Sequence, residues 1–141
     1  MRQLKIQGGG AAGNAMKQMT GAMTALTFEL LNGVTKIHIA HLKTTSYAAH
    51  VAMGDFYDGV GDFADSLAEQ WQGITETLMD FPTSAELPTC KTPEECVKYL
   101  RGLYAMCQKV QDSCEHSEIL NTIDEVKSLI NSTKYKLIFL K

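Results

Sequence analysis

The chain has 141 residues, of which 45% are hydrophobic and 21% charged, with 13 basic and 16 acidic side chains and a formal net charge of −3. This length favours one domain with a core of its own. The slightly acidic balance does not indicate a dedicated nucleic-acid binder. The sequence contains no run of 18 apolar residues, so no membrane span is predicted. No apolar stretch precedes Gly8 to suggest a signal peptide, so we expect a cytoplasmic protein.

The cysteines do not show the spacing of a zinc site. No two of them form a C-x-x-C pair, and two lie seven residues apart on one face of a predicted helix. In a reducing compartment, residues of this kind are core thiols. We therefore expect four reduced cysteines in the core: Cys90, Cys96, Cys107 and Cys114.

Residues 1–14 are predicted to form a flexible N-terminal arm, because four glycines between Gly8 and Gly13 favour no regular structure. The folded domain is predicted to span residues 15–141. Apolar residues recur every three or four positions from about residue 15, which predicts helix A over 15–43 with Asn14 as its N-cap.

A second helix, helix B, is predicted over residues 46–72. The polar residues Thr44 to Ser46 interrupt the helical period and can cap a new helix, and Gly73 is the expected C-cap. A turn this short predicts that helices A and B form an antiparallel hairpin.

Residues 73–91 are predicted to connect two helical hairpins. They carry Pro82 and Pro88, and residues 74–81 have the pattern of a short helix. Helix B would be about 40 Å long. The connection can extend to about 60 Å. It is therefore long enough to run the full length of the bundle.

The second hairpin begins with a clear helix start. Thr92 is the expected N-cap, Pro93 occupies the first helical position, and Glu95 completes a capping box, which predicts helix C over 93–115. Ser117 is the expected N-cap of helix D, over 118–139. The four patterns predict an all-α, ferritin-like four-helix bundle, ordered up-down-down-up, with a long crossover between helices B and C.

Five acidic residues recur at steps of three and four along helix B: Asp55, Asp58, Asp62, Asp65 and Glu69. On a helix they form one row opposite the apolar face, with His50 at the border between the two. Like charges at this spacing repel, so a cation, a basic partner or solvation must offset the repulsion. A solvated face is the simplest interpretation. Three nearby histidines favour a metal site instead: His38, His41 and His50.

The stretch from His50 to Glu69 resembles the ferroxidase signature of Dps-type miniferritins. Asp65 follows His50 by fifteen residues and precedes Glu69 by four. The segment D-F-A-D-S-L-A-E, which ends at Glu69, resembles the D-x-x-D-x-x-A-E motif of that family's second helix. The segment H-L-K-T-T-S-Y-A-A-H, which starts at His41, is closer still to small ferritin-like proteins of large tailed bacteriophages. The terminal Y-K-L-I-F-L-K is similar to them too.

The resemblance implies that His50, Asp65 and Glu69 are metal ligands, with Glu69 as the bridging carboxylate. The ligand from helix A has two candidates. The family's spacing of twelve residues selects His38, whereas the phage-like pattern aligns His41, which we prefer. Two further acids are expected to support the site or line its entry: Asp58 and Asp62.

The same resemblance implies iron as the bound ion, with manganese and zinc as alternatives, together with ferroxidase activity and a homo-oligomer, which in that family is a cage. In Dps-type proteins the site lies between two subunits, with histidines from one and carboxylates from the other. The predicted acidic row fits this arrangement, because it points away from the core of its own bundle.

Two departures favour a rival interpretation, a phage-encoded structural or interaction protein that keeps the bundle without catalysis. Gly54 stands where the family has an acid, and Leu42 stands where a tryptophan usually follows the first histidine. A phage-encoded chain would act in the host cytoplasm. DNA protection in the Dps manner is a weaker third interpretation, because the arm carries only Arg2 and Lys5 before residue 17.

Overall fold

The computed structural model of the protein describes residues 10–88 and 90–141, which contain four helices and no strand. The helices are α1 (Gly10–Lys43), α2 (Tyr47–Thr75), α3 (Pro93–Ser113) and α4 (Ser117–Phe139). The predicted all-α, four-helix fold is therefore confirmed for this part of the chain. None of these helices is both long and apolar enough to cross a membrane.

Helix α1 begins at Gly10, five residues before the predicted start, so Asn14 lies inside the helix and is not its N-cap. Three alanines explain the early start, since alanine has the highest helix propensity: Ala11, Ala12 and Ala15. The predicted arm is therefore helical from Gly10 to Asn14. The rest of that prediction falls on residues 1–9, outside the described part of the chain.

Helix α2 extends three residues beyond its predicted end. Its last residue is Thr75, and the C-cap is Glu76 in the left-handed conformation, at φ 51°, rather than Gly73. Packing explains the extension, because Ile74 lies against the core. The Thr75 hydroxyl also donates to the backbone oxygen of Trp71 at 2.9 Å, which holds the last turn.

The connection between α2 and α3 contains no helix of its own in its described residues, so the short helix predicted over 74–81 is wrong. Met79 and Phe81 pack against the core instead, and the Met79 amide donates to the side-chain oxygen of Gln72 at 2.8 Å. These contacts with the bundle hold Met79 and Phe81 in place of the helix that the sequence predicted.

In the second hairpin, α3 has the predicted N-cap and α4 has a different one. The Thr92 hydroxyl accepts a hydrogen bond from the Glu95 amide at 3.2 Å, and the Glu95 carboxylate accepts one from the Lys91 amide at 2.6 Å. Helix α4 has His116 as its N-cap, not Ser117, because the extended backbone conformation falls one residue earlier.

One face of each helix is buried along the bundle axis. Most of the apolar face predicted for α2 is buried, including Phe56 and Trp71, and the acidic row on the same helix is exposed. All four cysteines are buried and free, as the sequence predicted. The core residues contributed by α1 and α4 include Met23, Leu26, Leu30, Ile37, Ile119, Ile123, Val126 and Ile130.

Helix α2 lies antiparallel to two neighbours. Against α1, Trp71 Nε1 donates to Thr20 Oγ1 at 3.1 Å, near the start of α1 and the end of α2. Against α4, Lys136 Nζ donates to Asp55 Oδ2 at 3.1 Å, near the end of α4 and the start of α2. Each pair joins an early residue of one helix to a late residue of the other, so both neighbours run in the opposite direction to α2.

Helix α3 lies antiparallel to α1 and α4. Its Tyr99 hydroxyl donates to Glu29 of α1 at 2.8 Å, and its terminal Ser113 borders the same cavity as Met19. A three-residue turn joins it to α4. Because α3 opposes both of these helices, it points in the same direction as α2, and the connection between α2 and α3 runs along the bundle.

A buried polar cluster fixes α3 against α1. Lys36 Nζ donates to Glu29 Oε1 at 2.7 Å and lies 4.7 Å from the centre of the Tyr99 ring. Gly33 is needed here, because a Cβ at this position would lie 2.9 Å from the Tyr99 hydroxyl oxygen. Burial and the nearby Glu29 carboxylate raise the pKa of Tyr99 above its ordinary value, so the phenol remains a donor.

Candidate functional site

The short turn between α1 and α2 brings two of the predicted histidine ligands into contact. His41 lies in the last turn of α1 and His50 at the start of α2, where the Ser46 hydroxyl caps the helix by accepting from the Ala49 amide at 3.2 Å. The two imidazole rings stack with their centres 3.6 Å apart and their planes 23° apart. The cap thus sets the register that pairs the two rings.

Each ring also bonds to the backbone of the other residue. His41 Nδ1 lies 2.7 Å from the His50 carbonyl oxygen, and His50 Nδ1 lies 3.1 Å from the His41 carbonyl oxygen. A carbonyl oxygen can only accept, so both Nδ1 atoms carry a proton. In the neutral form each ring then keeps its lone pair on Nε2. This is the arrangement in which a backbone carbonyl orients a histidine toward a metal.

The third histidine lies beside this pair and not in it. The His38 ring stacks on Tyr57 with 4.1 Å between ring centres, and it lies 5.9 Å from the His41 ring. The edge of the His41 ring also meets Tyr57, at 5.2 Å. His41, rather than His38, is therefore the helix-α1 histidine that contacts His50.

Gly54 lies beside the His41 ring. A Cβ on Gly54 would lie 3.4 Å from His41 Cε1 and 3.5 Å from Nδ1, which is ordinary contact and leaves little room for a longer side chain directed toward the ring. The miniferritin resemblance marks Gly54 only as a missing acid, and it gives Tyr57 no role. Their spacing could have indicated both, because Gly54 and Tyr57 follow His50 by four and seven residues on the same helix face.

The acidic row does not reach the histidines within one chain. Its five residues are exposed, and of these only Asp55 forms an ion pair within the described part of the chain, with Lys136. Asp65 lies fifteen residues from His50, which is about 22 Å along a helix. Among residues 10–88 and 90–141, no group of three or more His, Cys, Asp or Glu side chains is placed to hold one ion.

The model of a protein family of unknown function, DUF5856, matches residues 41–137. The chain belongs to this family. The match begins at His41 and includes His50 and the whole acidic row, and it leaves out His38. The part of the chain shared with the family therefore contains the stacked pair and the predicted carboxylate ligands together.

A relative of this DUF5856 chain occurs in a bacteriophage. The chain is 26% identical over 102 residues to an uncharacterized 14.6 kDa protein in the mobD-ri intergenic region of Enterobacteria phage T4. The match covers 71% of this chain and 75% of the phage protein. The prediction of a likeness to small phage proteins is confirmed by this match. No solved structure matches the chain.

Proposed function

We propose that this chain binds a divalent transition-metal ion between two copies of itself, in the manner of a ferritin-like miniferritin, with iron as cargo and substrate. The observation that carries the proposal is the stacked pair of His41 and His50, because both Nδ1 protons are held by carbonyl oxygens and both Nε2 lone pairs remain for a ligand bond. Imidazole with carboxylate suits Fe(II), Mn(II) and Zn(II).

A two-fold axis would complete the site. The midpoint between His50 and Asp65 falls at residues 57 and 58 of α2. If two α2 helices cross antiparallel at that point, His50 of each copy lies opposite Asp65 of the other, and the two sites are about 22 Å apart. The exposed acidic row is available for this contact, since it takes no part in packing its own bundle.

The helix arrangement supports the ferritin-like part of the proposal. Every helix lies antiparallel to both of its neighbours, and one long connection joins α2 to α3, which run in the same direction. A four-helix bundle with one long crossover is the ferritin-like arrangement. In such bundles, metal sites are built from carboxylates and histidines on facing helices.

Each candidate residue has a role in this site. His41 and His50 would supply nitrogen ligands, and Asp65 and Glu69 of the second copy would supply carboxylates, with Glu69 in the role that the resemblance gives to the bridging carboxylate. Asp58 and Asp62 of both copies would border the two-fold axis. Their negative charges repel one another there and raise the local concentration of cations, which provides an entry path.

Titration with Fe(II), Mn(II) and Zn(II), followed by calorimetry and sedimentation, tests the proposal. The parent chain is expected to form a dimer or larger assembly, bind metal, and develop ferric absorbance with Fe(II) in air faster than a buffer control. The double variant Asp65→Ala/Glu69→Ala should lose binding and keep its fold. The charge-matched control Glu118→Ala/Glu125→Ala removes two exposed acids of α4 and should bind as the parent does. A chain that remains monomeric with metal present would remove the intersubunit site.

A second candidate function is an interaction protein that keeps the bundle without metal chemistry. It is favoured by large apolar side chains exposed at one end of the bundle, among them Tyr47 and Phe139. If the parent chain binds none of the three metals, this candidate replaces the first.

A further inference from the structure

Most of the exposed large apolar side chains lie at one end of the bundle. Of the ten in the described residues, seven lie at the α1–α2 turn and the adjacent end of α4. We call them the turn-end patch: Leu42, Tyr47, Val51, Tyr135, Ile138, Phe139 and Leu140. Three are more than 60% exposed: Leu42, Tyr47 and Phe139. Apolar surface concentrated in this way marks a binding surface rather than the scatter seen on ordinary surfaces.

The opposite end of the bundle carries an apolar groove. It lies between the first turns of α1 and the turn from α3 to α4, and its volume is about 590 Å³. We call it the α1 groove, and its lining includes Ala12, Ala15, Met16, Met19, Trp71 and His116. The turn-end patch borders a cavity of similar size, about 700 Å³, lined by Tyr47, Phe139 and Leu140 among others.

The two ends differ in charge. The charged residues that line the cavity at the turn-end patch are Lys141 and Lys136, of which Lys136 is paired with Asp55 of α2, and no acidic side chain follows Glu125 in the sequence. The charged residue that lines the α1 groove is Glu115, and no Lys or Arg lies between Lys109 and Lys127. An apolar surface edged by Lys141 and the paired Lys136 thus lies at one end, and an apolar groove edged by Glu115 lies at the other.

From this complementarity we infer that a second copy of the chain docks its turn-end patch into the α1 groove, so that copies associate head to tail along the bundle axis. Phe139 and Leu140 of one copy would enter the groove beside Met16 of the next, and Lys141 would approach Glu115. Contact between two turn-end patches offers Lys141 no acid except Asp55, which already pairs with Lys136, whereas head-to-tail contact pairs Lys141 with Glu115. A head-to-tail contact uses two different surfaces and leaves one of each free, so it builds chains or rings.

Sedimentation velocity on the full chain and two single-face variants tests this inference. Phe139→Glu places a carboxylate on the patch, and Met16→Glu places one in the groove; both residues are exposed, so folding should be retained. We expect the parent to form larger species as concentration rises and each variant alone to lose that growth. Leu31→Glu, which changes an exposed apolar residue of α1 outside both surfaces, should associate as the parent does.

An equal mixture of the two variants distinguishes this contact from the two-fold contact of the proposed function. The Met16→Glu copy keeps its patch and the Phe139→Glu copy keeps its groove, so the mixture should form species larger than either variant forms alone. A two-fold contact through α2 uses neither surface, so loss of metal binding would leave this result unchanged. A mixture that sediments as the average of its components overturns the inference.

A charge exchange gives a second readout. Glu115→Lys should weaken association, and adding Lys141→Glu in the same chain should restore it, because each contact then pairs opposite charges again. Failure of the second change to restore association contradicts the head-to-tail contact.

Binding of the parent to phosphatidylserine vesicles that is lost in Phe139→Glu and kept in Met16→Glu would assign the patch to a membrane surface and would likewise overturn the inference.

Discussion

At the scale of single residues, Gly54 packs against the His41 ring of the histidine pair. A methyl group on Gly54 would meet His41 Cε1 at 3.4 Å, an ordinary contact, and alanine is about 1 kcal/mol better than glycine inside a helix. Gly54→Ala should therefore keep or raise stability. Gly54→Leu should push the His41 ring away from His50.

Thermal unfolding and the imidazole proton resonances measure this prediction. Stacked rings shift one another's resonances, and the shifts of His41 and His50 should move toward solvent values in Gly54→Leu and not in Gly54→Ala. Metal affinity should follow the same order. Unchanged imidazole resonances in Gly54→Leu would show that Gly54 does not hold the ring in place.

The buried thiols should differ in reactivity. A hydrogen bond from Cys96 lowers the pKa of Cys90, whereas burial raises the pKa of Cys107 to about 12. Mass spectrometry after brief alkylation of the folded protein at mildly alkaline pH should therefore find Cys90 labelled before Cys107. Labelling in the reverse order would contradict this assignment.

The raised pKa of Cys107 makes the free energy of unfolding depend on pH in the alkaline range. In the unfolded chain the Cys107 thiol ionises near its ordinary value of 9.0, whereas in the folded chain it holds its proton up to about 12. The unfolded state therefore binds fewer protons between these values, and stability falls as pH rises through this window. Cys107→Ala should have a shallower fall over the same range, as measured by denaturant unfolding.

At the scale of elements, the end of α2 stores strain that one substitution should release. Glu76 caps the helix at φ 51°, a conformation that costs a residue with a side chain about 1 kcal/mol relative to glycine. Glu76→Gly should therefore raise the free energy of unfolding by about that amount. The matched control Glu125→Gly, inside α4, should lower it by about 1 kcal/mol. Urea denaturation measures both, and a loss of stability in Glu76→Gly would contradict the strain.

The sequence predicted those element features that depend on local chemistry. Thr92 and Glu95 cap α3, and the apolar face of α2 is buried, because caps and helical period act within a few residues. The end of α2 was not predicted, since Ile74 is held in the helix by the core. The stacking of the two histidine rings depends on how α1 meets α2 across the turn, which no local sequence pattern determines.

At the scale of the whole molecule, the candidate metal ligands fall into two separate groups, the histidine pair and the predicted carboxylates. The histidine pair lies at the turn between α1 and α2, and the predicted carboxylate ligands lie about 22 Å along α2, so one chain does not bring the two groups together. The miniferritin resemblance predicts both groups of ligands. The predicted helix B already separates His50 from Asp65 by fifteen residues, and the structure keeps both residues on one continuous helix.

Mixing two inactive variants tests the shared site most directly. His41→Ala/His50→Ala keeps the acidic row, and Asp65→Ala/Glu69→Ala keeps the histidines. If the site forms across a two-fold axis, each variant alone binds no Fe(II). After the subunits are mixed and exchanged, half of the pairs contain one intact site, and calorimetry should recover about one quarter of the parent's capacity. A mixture that binds no more Fe(II) than its separate components would contradict the shared site.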